Sequence, residues 1–293
     1  MTHPAPNPRY PYSAIPHRAP FVWPNGAKLA VYVAVNLEWF SFGEGPGATL
    51  DGPKHDPDVQ NYSWRDYGNR VGIWRLLTLL DELGWPATML PNACLYDRAP
   101  EIMAAVRARG DEIAAHGTTN SVRPGTLSEA EERDDIRAAT DAISRAEGTP
   151  PRGWLAPWIS ESLRTPDLLA EAGYGYVLDW CHDDQPTWMT TRAGPLLSVP
   201  YPQELNDIPQ IVGRGHEGRD FADMISDAFD VHLSDPWPGV MGIALHPYLM
   251  GQPHRFKHLR DSLRALKAGA GDAVWITTAG RIAAHYREIM PPG

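Results

Sequence analysis

The sequence is poor in cysteine and in positive charge. Two of its 293 residues are cysteines, Cys94 and Cys181, and their spacing fits neither a disulfide framework nor a zinc site built from cysteines. Acidic residues outnumber basic ones by 36 to 26, which gives a formal net charge of -10, and no basic cluster breaks this balance. Because nucleic acids and anionic membranes attract basic surfaces, we expect neither as a partner.

Long apolar runs and an export signal are also missing. No stretch approaches the roughly 20 apolar residues of a membrane-spanning helix. The first 20 residues, MTHPAPNPRYPYSAIPHRAP, are polar and Pro-rich and lack the apolar centre of a signal peptide. These absences predict a cytoplasmic protein.

Residues 1–27 predict an irregular N-terminal arm. Prolines stand at positions 4, 6, 8, 11, 16, 20 and 24, and their density excludes regular secondary structure. The arm also carries several aromatic and aliphatic residues. It is therefore either a disordered tail or a segment that packs on the body or on a neighbouring subunit. Residues 28–293 show no break in composition and predict a single catalytic domain.

The rest of the chain alternates between strand and helix patterns. Residues 28–38, KLAVYVAVNLE, are apolar on both faces of the predicted strand, which is typical of a central parallel strand covered on each side. A long Gly- and Pro-rich loop is expected at about 40–67. In all, about seven strand-helix units predict an α/β fold, specifically a deformed (β/α) barrel. A doubly wound open sheet is the alternative, but the first strand lacks a Gly-rich phosphate-binding turn.

Polar side chains follow several of the predicted strands. Asn36 and Glu38 end the first strand, and they lie on one side of it because side chains alternate along a strand. His116 and Asn120 follow the strand at 112–115, and His246 ends the buried strand predicted from GVMGIALHP at 239–247. In a barrel these strand ends meet at one rim, where active sites form. Further candidates near strand ends are Trp154, Trp158, Asp179, Asp183 and Asp184.

Five stretches in this order resemble the polysaccharide deacetylases of the NodB-homology superfamily. They are NLE at 36–38, HGTTN at 116–120, GWLAPW at 153–158, the polar turn at 179–186 and ALHP at 244–247. The resemblance spans about residues 20–290 and is strongest to the branch that holds peptidoglycan deacetylase-like proteins, allantoinase and cyclic imide hydrolases. It implies a NodB-like deformed barrel.

The chain departs from the metal-dependent members of that superfamily at the residues that matter for metal binding. Those members use an aspartate and two histidines four residues apart as ligands, whereas here Glu38 replaces the aspartate and Asn120 replaces the second histidine. Asn36 stands where they carry a catalytic aspartate, and an amide cannot accept a proton near neutral pH. No cofactor is therefore certain. A divalent metal such as zinc, held weakly by Glu38 and His116, stays open.

The resemblance implies a hydrolase that opens the C–N bond of a small cyclic amide, such as an imide or a ureide. Ring opening needs an activated water, a polarised carbonyl and a proton for the leaving nitrogen. We expect Glu38, His116 and His246 to be catalytic, and Asn36 and Asn120 to pair with the amide edge of the ring. The other expected substrate contacts are two tryptophan walls and one acidic residue: Trp39, Trp154 and Asp184.

Two other functions remain open from the sequence. One is a metal-dependent N-deacetylase acting on an N-acetylated sugar or a peptidoglycan fragment, and the other is an inactive protein that keeps the fold and binds a ligand. The individual residues also have plainer interpretations, because a tryptophan is more often a core residue than a substrate wall. The resemblance further implies a homo-oligomer, a dimer or a tetramer.

Overall fold

The computed structural model describes residues 5–50, 52 and 56–292 as a mixed α/β fold. The strands are β1 (Leu29–Leu37), β2 (Thr88–Pro91), β3 (Glu112–Ile113), β4 (Gly153–Trp154), β5 (Tyr176–Val177), β6 (Thr187–Met189), β7 (Leu196–Ser198), β8 (Gly239–Leu245) and β9 (Val274–Thr277). The helices are α1 (Val59–Tyr67), α2 (Ile73–Leu83), α3 (Leu95–Arg98), α4 (Pro100–Arg109), α5 (Glu129–Glu147), α6 (Thr165–Glu171), α7 (Gly218–Ser234), α8 (Pro247–Met250), α9 (Pro253–Gly269) and α10 (Ala279–Ile289).

Strand β1 is the centre of the first sheet. It pairs in parallel with β8 along one edge, and its other edge pairs with β9 near the start and with β2 near the end. Strand β3 extends this sheet beyond β2. All nine residues of β1 are buried, as its apolar pattern predicts. The predicted α/β fold with a buried parallel first strand is confirmed.

A second sheet has the order β4-β5-β7-β6, with β6 antiparallel to β7. Two isolated bridges connect it to the first sheet. Ala115, just after β3, pairs with Trp154 of β4, and Asn206, beyond β7, pairs with Ala244 of β8. The strands thus follow one another around a curved, barrel-like wall.

The two faces of β1 belong to different parts of the core. Its odd-numbered residues pack into a cluster with the apolar faces of α2, α4, α7 and α9. Its even-numbered residues Ala30, Tyr32 and Ala34 pack into a second cluster, together with residues of the second sheet such as Leu155 and Tyr201. Because side chains alternate along a strand, Asn36 and Glu38 continue the even-numbered row at its carboxyl end. The side chains of Asn36 and Glu38 therefore point into the space between the two sheets.

The predicted loop at 40–67 differs from the structure at its end. Helix α1 begins at Val59 and runs through a π-helical segment, Gly68–Gly72, into α2. Strand β6 also lies where the sequence predicts no strand. Residues 51 and 53–55 of the predicted loop lie outside the described residues.

The described part of the arm packs against the body, and three of its side chains illustrate the contacts. The Arg9 guanidinium forms an ion pair with Asp167, at 2.7 Å from Nη1 to Oδ1, and Arg18 pairs with both carboxyl oxygens of Asp183. Trp23 is 1% exposed and donates its indole N–H to the carbonyl of residue 239 at 2.8 Å. Residues 1–4 of the predicted arm lie outside the described residues.

Among the described residues, no helix is both long and apolar enough to cross a membrane. The cytoplasmic location and the homo-oligomer stay predictions.

Candidate active site

Glu38 is the centre of the polar cluster at the end of β1. Its Oε1 accepts a hydrogen bond from Asn120 Nδ2 at 2.6 Å, and its Oε2 accepts one from Tyr248 Oη at 2.6 Å. Both imidazoles also face Oε1, at 3.7 Å from His116 Nε2 and 3.5 Å from His246 Nε2. Burial alone would raise the pKa of Glu38, but the facing histidines outweigh it and hold the pKa below its usual range. Glu38 is therefore a buried carboxylate.

His246 is held between two carboxylates. Its Nδ1 donates to Asp207 Oδ1 at 2.6 Å, while its backbone N–H donates to Asp207 Oδ2 at 2.8 Å. Burial lowers the pKa of His246, but the charges of Asp207 and Glu38 reverse this effect and raise the pKa to about 10. Near neutral pH, His246 is thus an imidazolium with Nε2–H directed toward Glu38.

His116 is oriented differently. Its Nδ1 lies 2.8 Å from the Leu155 carbonyl oxygen, and a carbonyl accepts only, so Nδ1 carries a proton. The other ring nitrogen, Nε2, is buried and has no hydrogen-bond partner among the described residues. His116 Nε2 therefore faces the same space as the Nε2–H of His246.

These groups line a cavity of about 160 Å³. Asn36 lies deepest along β1, with its Nδ2 at 3.0 Å from Tyr201 Oη. Apolar and aromatic side chains form much of the wall: Phe40, Ala48, Leu155, Trp158, Ile159, Tyr201, Ile208, Pro209 and Tyr248. One end of the cavity is thus polar and ionised, and the rest is shaped by flat or apolar groups.

The wall formed by residues 158 and 159 has a strained backbone. Trp158 and Ile159 adopt left-handed conformations, with φ of 65° and 51°. For a β-branched residue such as Ile159 this conformation is a clear outlier, costing on the order of 1–3 kcal/mol. The Trp158 indole N–H donates to the Asn120 carbonyl at 2.9 Å, which helps to hold this turn against the cavity.

The structure brings together five of the eight predicted site residues and leaves three elsewhere. Asn36, Glu38, His116, Asn120 and His246 all line the cavity. Their catalytic and binding roles stay predictions, because position alone does not test them.

The expectation that Trp154 forms a wall is wrong. Trp154 is 0% exposed and packs edge-on against Tyr174, with ring centroids 5.5 Å apart. Its neighbour Leu155 faces the cavity instead, because adjacent strand residues point to opposite faces. The tryptophan at the cavity is Trp158, four residues further on.

Trp39 and Asp184 also lie outside the cavity. Trp39 packs against the helix-covered core cluster and lines a smaller, separate cavity behind Glu38. Asp184 is exposed beside the N-terminal arm, and its backbone carbonyl accepts from the N–H of Val240 at 2.8 Å. That region contains a much larger, open cavity of about 960 Å³, but the strand-end groups do not converge on it.

Three site residues have no counterpart in the sequence-based prediction. Tyr248 follows His246 by two residues, so the HPY sequence is the signal that could have indicated it. Tyr201 comes shortly after the short strand β7. Asp207 lies in a Pro- and Gly-rich segment without periodicity, and the sequence carries no signal that pairs it with His246.

The residues present do not fit the three-ligand zinc site of the metal-dependent deacetylases. Asn120 Oδ1 accepts from Asn92 Nδ2 at 3.1 Å, and its Nδ2 donates to Glu38, so its oxygen is turned away from the carboxylate. In the described part of the chain, no group of three or more His, Cys, Asp and Glu side chains is arranged to hold a metal ion. The pair Glu38 and His116 is short of one ligand.

Comparison with known proteins shows what this chain resembles. The family model for polysaccharide deacetylase matches residues 62–177. A Schizosaccharomyces pombe protein, provisionally named a polysaccharide deacetylase, is 28% identical over 309 residues, which cover 92% of this chain and 93% of that protein.

Solved structures agree with the sequence match. The crystal structure of Puue allantoinase has a TM-score of 0.83 and 28% identity, covering 92% of this chain and 94% of its own. A structure from Pseudomonas aeruginosa PAO1, again provisionally named a polysaccharide deacetylase, has a TM-score of 0.84 and 28% identity, covering 92% and 95%. Residues 62–177 therefore match the polysaccharide deacetylase family, and the chain has a NodB-like fold, so the resemblance predicted from its five motifs is confirmed.

Proposed function

We propose that this protein is a hydrolase that opens the C–N bond of a small, uncharged cyclic amide, such as an imide or a ureide. The cavity carries the proposal, because its volume of about 160 Å³ is close to the roughly 150 Å³ that accommodates one benzene-sized ring. No lysine or arginine is among the described residues that line it. Such a cavity favours a neutral ring over a polymer. The similarity to an enzyme named allantoinase supports the same substrate class.

The two histidines divide the chemistry between them. His116 Nε2 is the base, and it takes a proton from a water molecule as the water oxygen bonds to the ring carbonyl carbon. The Nε2–H of His246 polarises that carbonyl and donates its proton to the ring nitrogen as the C–N bond breaks. The products are a carboxylic acid and the freed amide or urea nitrogen, joined in one open chain. Glu38 keeps its negative charge throughout and stabilises both imidazoles.

The amide side chains supply recognition of the ring edge. Asn36 lies at the deep end of the cavity beside the Tyr201 hydroxyl, so the two groups present both donors and acceptors. An imide or ureide edge alternates C=O and N–H, which matches such a pair. Trp158 supplies a flat, largely apolar surface against which a ring can stack.

A second candidate function rests on the free ligand atom. His116 Nε2 is buried without a partner among the described residues, and such an atom is available to a metal. A metal-dependent deacetylase would need a further ligand that the described site does not supply. The names of the two deacetylase-like relatives favour this candidate, and the geometry of Asn120 disfavours it.

Hydrolysis assays on chelator-treated protein test the proposal. The panel is succinimide, hydantoin, dihydrouracil and allantoin, with N-acetylglucosamine oligomers as controls, each measured with and without added zinc. We expect ring opening that needs no added metal. His116→Gln and His246→Gln should each abolish it, while the exposed-site control Glu101→Gln should not. Deacetylation that appears only with zinc would favour the second candidate, and binding of a ring without turnover would indicate an inactive protein.

A further inference from the structure

On the Nδ1 side of His116, beyond the peptide that joins Leu155 and Ala156, lies a pair of carboxyl groups that the proposed reaction does not use. They are Glu161, in the turn after Trp158, and Asp179, just after β5. Asp179 Oδ1 accepts from the backbone N–H of Ala156 at 2.7 Å, and Glu161 Oε2 accepts from the indole N–H of Trp180 at 3.0 Å. One oxygen of each group is therefore already satisfied by a donor.

The remaining oxygens of the pair are both buried. Within the described residues, Glu161 Oε1 and Asp179 Oδ2 receive no N–H or O–H donor. The two carboxyl groups are close enough to act on each other electrostatically, and two adjacent buried carboxylates cannot both be ionised. A single proton on Glu161, donated to Asp179, satisfies both oxygens at once. Burial and the neighbouring carboxylate raise the pKa of Glu161 well above its ordinary value, which agrees with this arrangement.

One peptide group joins this pair to His116. The carbonyl of Leu155 accepts the Nδ1 proton of His116 at 2.8 Å, and the N–H of the same peptide unit, from Ala156, donates to Asp179. A carboxylate on the N–H side polarises the peptide and makes its carbonyl oxygen a better acceptor. The effect resembles that of a carboxylate placed directly behind a histidine, which fixes its tautomer and ring orientation.

We propose that Glu161 and Asp179 share one proton and act together as positioning residues for His116. Through the intervening peptide they fix the tautomer that carries its proton on Nδ1 and leaves Nε2 free as a base. The other titratable or charged side chains that act electrostatically on this pair are Glu132 of α5, Arg9 of the arm, Tyr201 and His116 itself. This inference rests on the proposed function in one respect, which is that the free Nε2 of His116 acts as a base.

The matched variants Glu161→Gln and Glu161→Leu test the shared proton and its effect separately. Glutamine reproduces a protonated glutamate, because its amide N–H donates to Asp179 and its oxygen accepts from Trp180. Leucine has a similar volume and can do neither. Glu101→Gln, at an exposed position on α4, is the control. All measurements are made without substrate, so a failure of ring opening leaves them interpretable.

The first measurement is the free energy of unfolding as a function of pH. A carboxyl group with a raised pKa stabilises the fold fully below its unfolded value, near 4.3, and this contribution is lost as pH rises through the folded value. Across that window the folding equilibrium constant of the wild type should fall relative to Glu161→Gln by up to about tenfold per pH unit. Glu101→Gln should follow the wild type. Parallel profiles for the wild type and Glu161→Gln would overturn the shared proton.

The second readout is the nitrogen NMR spectrum of the imidazoles, with His116 assigned by its loss in His116→Gln. The wild type and Glu161→Gln should both show a protonated Nδ1 and an unprotonated Nε2. In Glu161→Leu the two nitrogen signals should move toward each other, as the two tautomers mix. If that variant does not fold, Asp179→Asn replaces it, since asparagine keeps the acceptor for Ala156 but removes the charge. Unchanged His116 signals in the folded variant would overturn the positioning role.

Discussion

Asp207→Asn is the substitution that tests most directly how the site keeps His246 protonated. Asp207 is 0% exposed and accepts two hydrogen bonds from His246, one from the ring and one from the backbone. Asparagine has nearly the same shape and can keep one of these contacts, so the change removes mainly the charge. Burial would then lower the pKa of His246, and only the charge of Glu38 would remain to raise it.

The size of the effect follows from the pKa of His246. The rise from the ordinary value of 6.5 to about 10 corresponds to a preference for the cation on the order of 5 kcal/mol. Among the contributions that raise this pKa, the charge of Asp207 is the largest. Without it we expect the pKa of His246 to return to its ordinary value or below. Near pH 7.5 the cation would then be about a tenth of the population or less, so the rate of ring opening should fall by about tenfold or more.

Two assays check this expectation. The first is the rate of imide or ureide opening against pH, and the second is chemical unfolding between pH 6 and 10. Because the folded pKa of His246 is raised, its stabilisation is complete below about pH 6.5 and is lost toward pH 10, at up to about 1.4 kcal/mol per pH unit. This slope should flatten in Asp207→Asn but not in the exposed control Asp230→Asn. An unaltered slope together with an unaltered rate would refute the assignment of His246 as a cation held by Asp207.

Three further substitutions address the rest of the site. Glu38→Gln removes the charge that faces both imidazoles, so ring opening should fall at least about 10²-fold while circular dichroism shows a folded protein; full activity would exclude a role for the carboxylate. Trp154→Phe should lower the free energy of unfolding by about 1–3 kcal/mol and leave KM unchanged, whereas Trp158→Phe should raise KM; the reverse pattern would contradict the assignment of the two residues. The double variant Asn120→His with Asn92→Asp should bind zinc at least about tenfold more tightly than Asn120→His alone, as measured by calorimetry. Equal affinities would contradict a role for residue 92 in orienting the side chain at position 120.

The sequence predicts most of the fold because local signals agree with the tertiary structure. The two-sided apolar pattern of β1 predicts its burial, and Gly84 and Gly110 end α2 and α4 in left-handed conformations, with φ of 63° and 72°. The Ser-x-x-Glu spacing of Ser128 and Glu131 is typical of a capping box, and the two residues form one at the start of α5. Helix α1 gives no such signal, because the side chains it buries are polar, Asn61 and Arg65.

The site residues could be predicted where their direction follows from the alternation of side chains along a strand. They could not be predicted where they depend on contacts between distant parts of the sequence. Asn36 and Glu38 share one side of a nine-residue strand, so their common direction follows from the sequence. Strand β4 has only two residues, and so short a segment does not show whether Trp154 or Leu155 points inward. Asp207 meets His246 across 39 residues of chain, through a segment with no period at all.

Asn120 does more than replace a metal-binding histidine, because Asn92 fixes the orientation of its amide group. The backbone N–H of Trp39 donates to Asn92 Oδ1 at 2.7 Å, and since an N–H cannot accept, the orientation of the Asn92 amide is fixed. Its NH₂ group must then face Asn120 Oδ1, which turns the Asn120 NH₂ group onto Glu38. A histidine placed at position 120 would meet that same NH₂ group of Asn92, whereas a zinc-bound histidine needs an acceptor for its second ring N–H. An aspartate at position 92 would supply the acceptor and still receive the N–H of Trp39. The mismatch with the three-ligand zinc site therefore involves two positions, of which only one belongs to the motif.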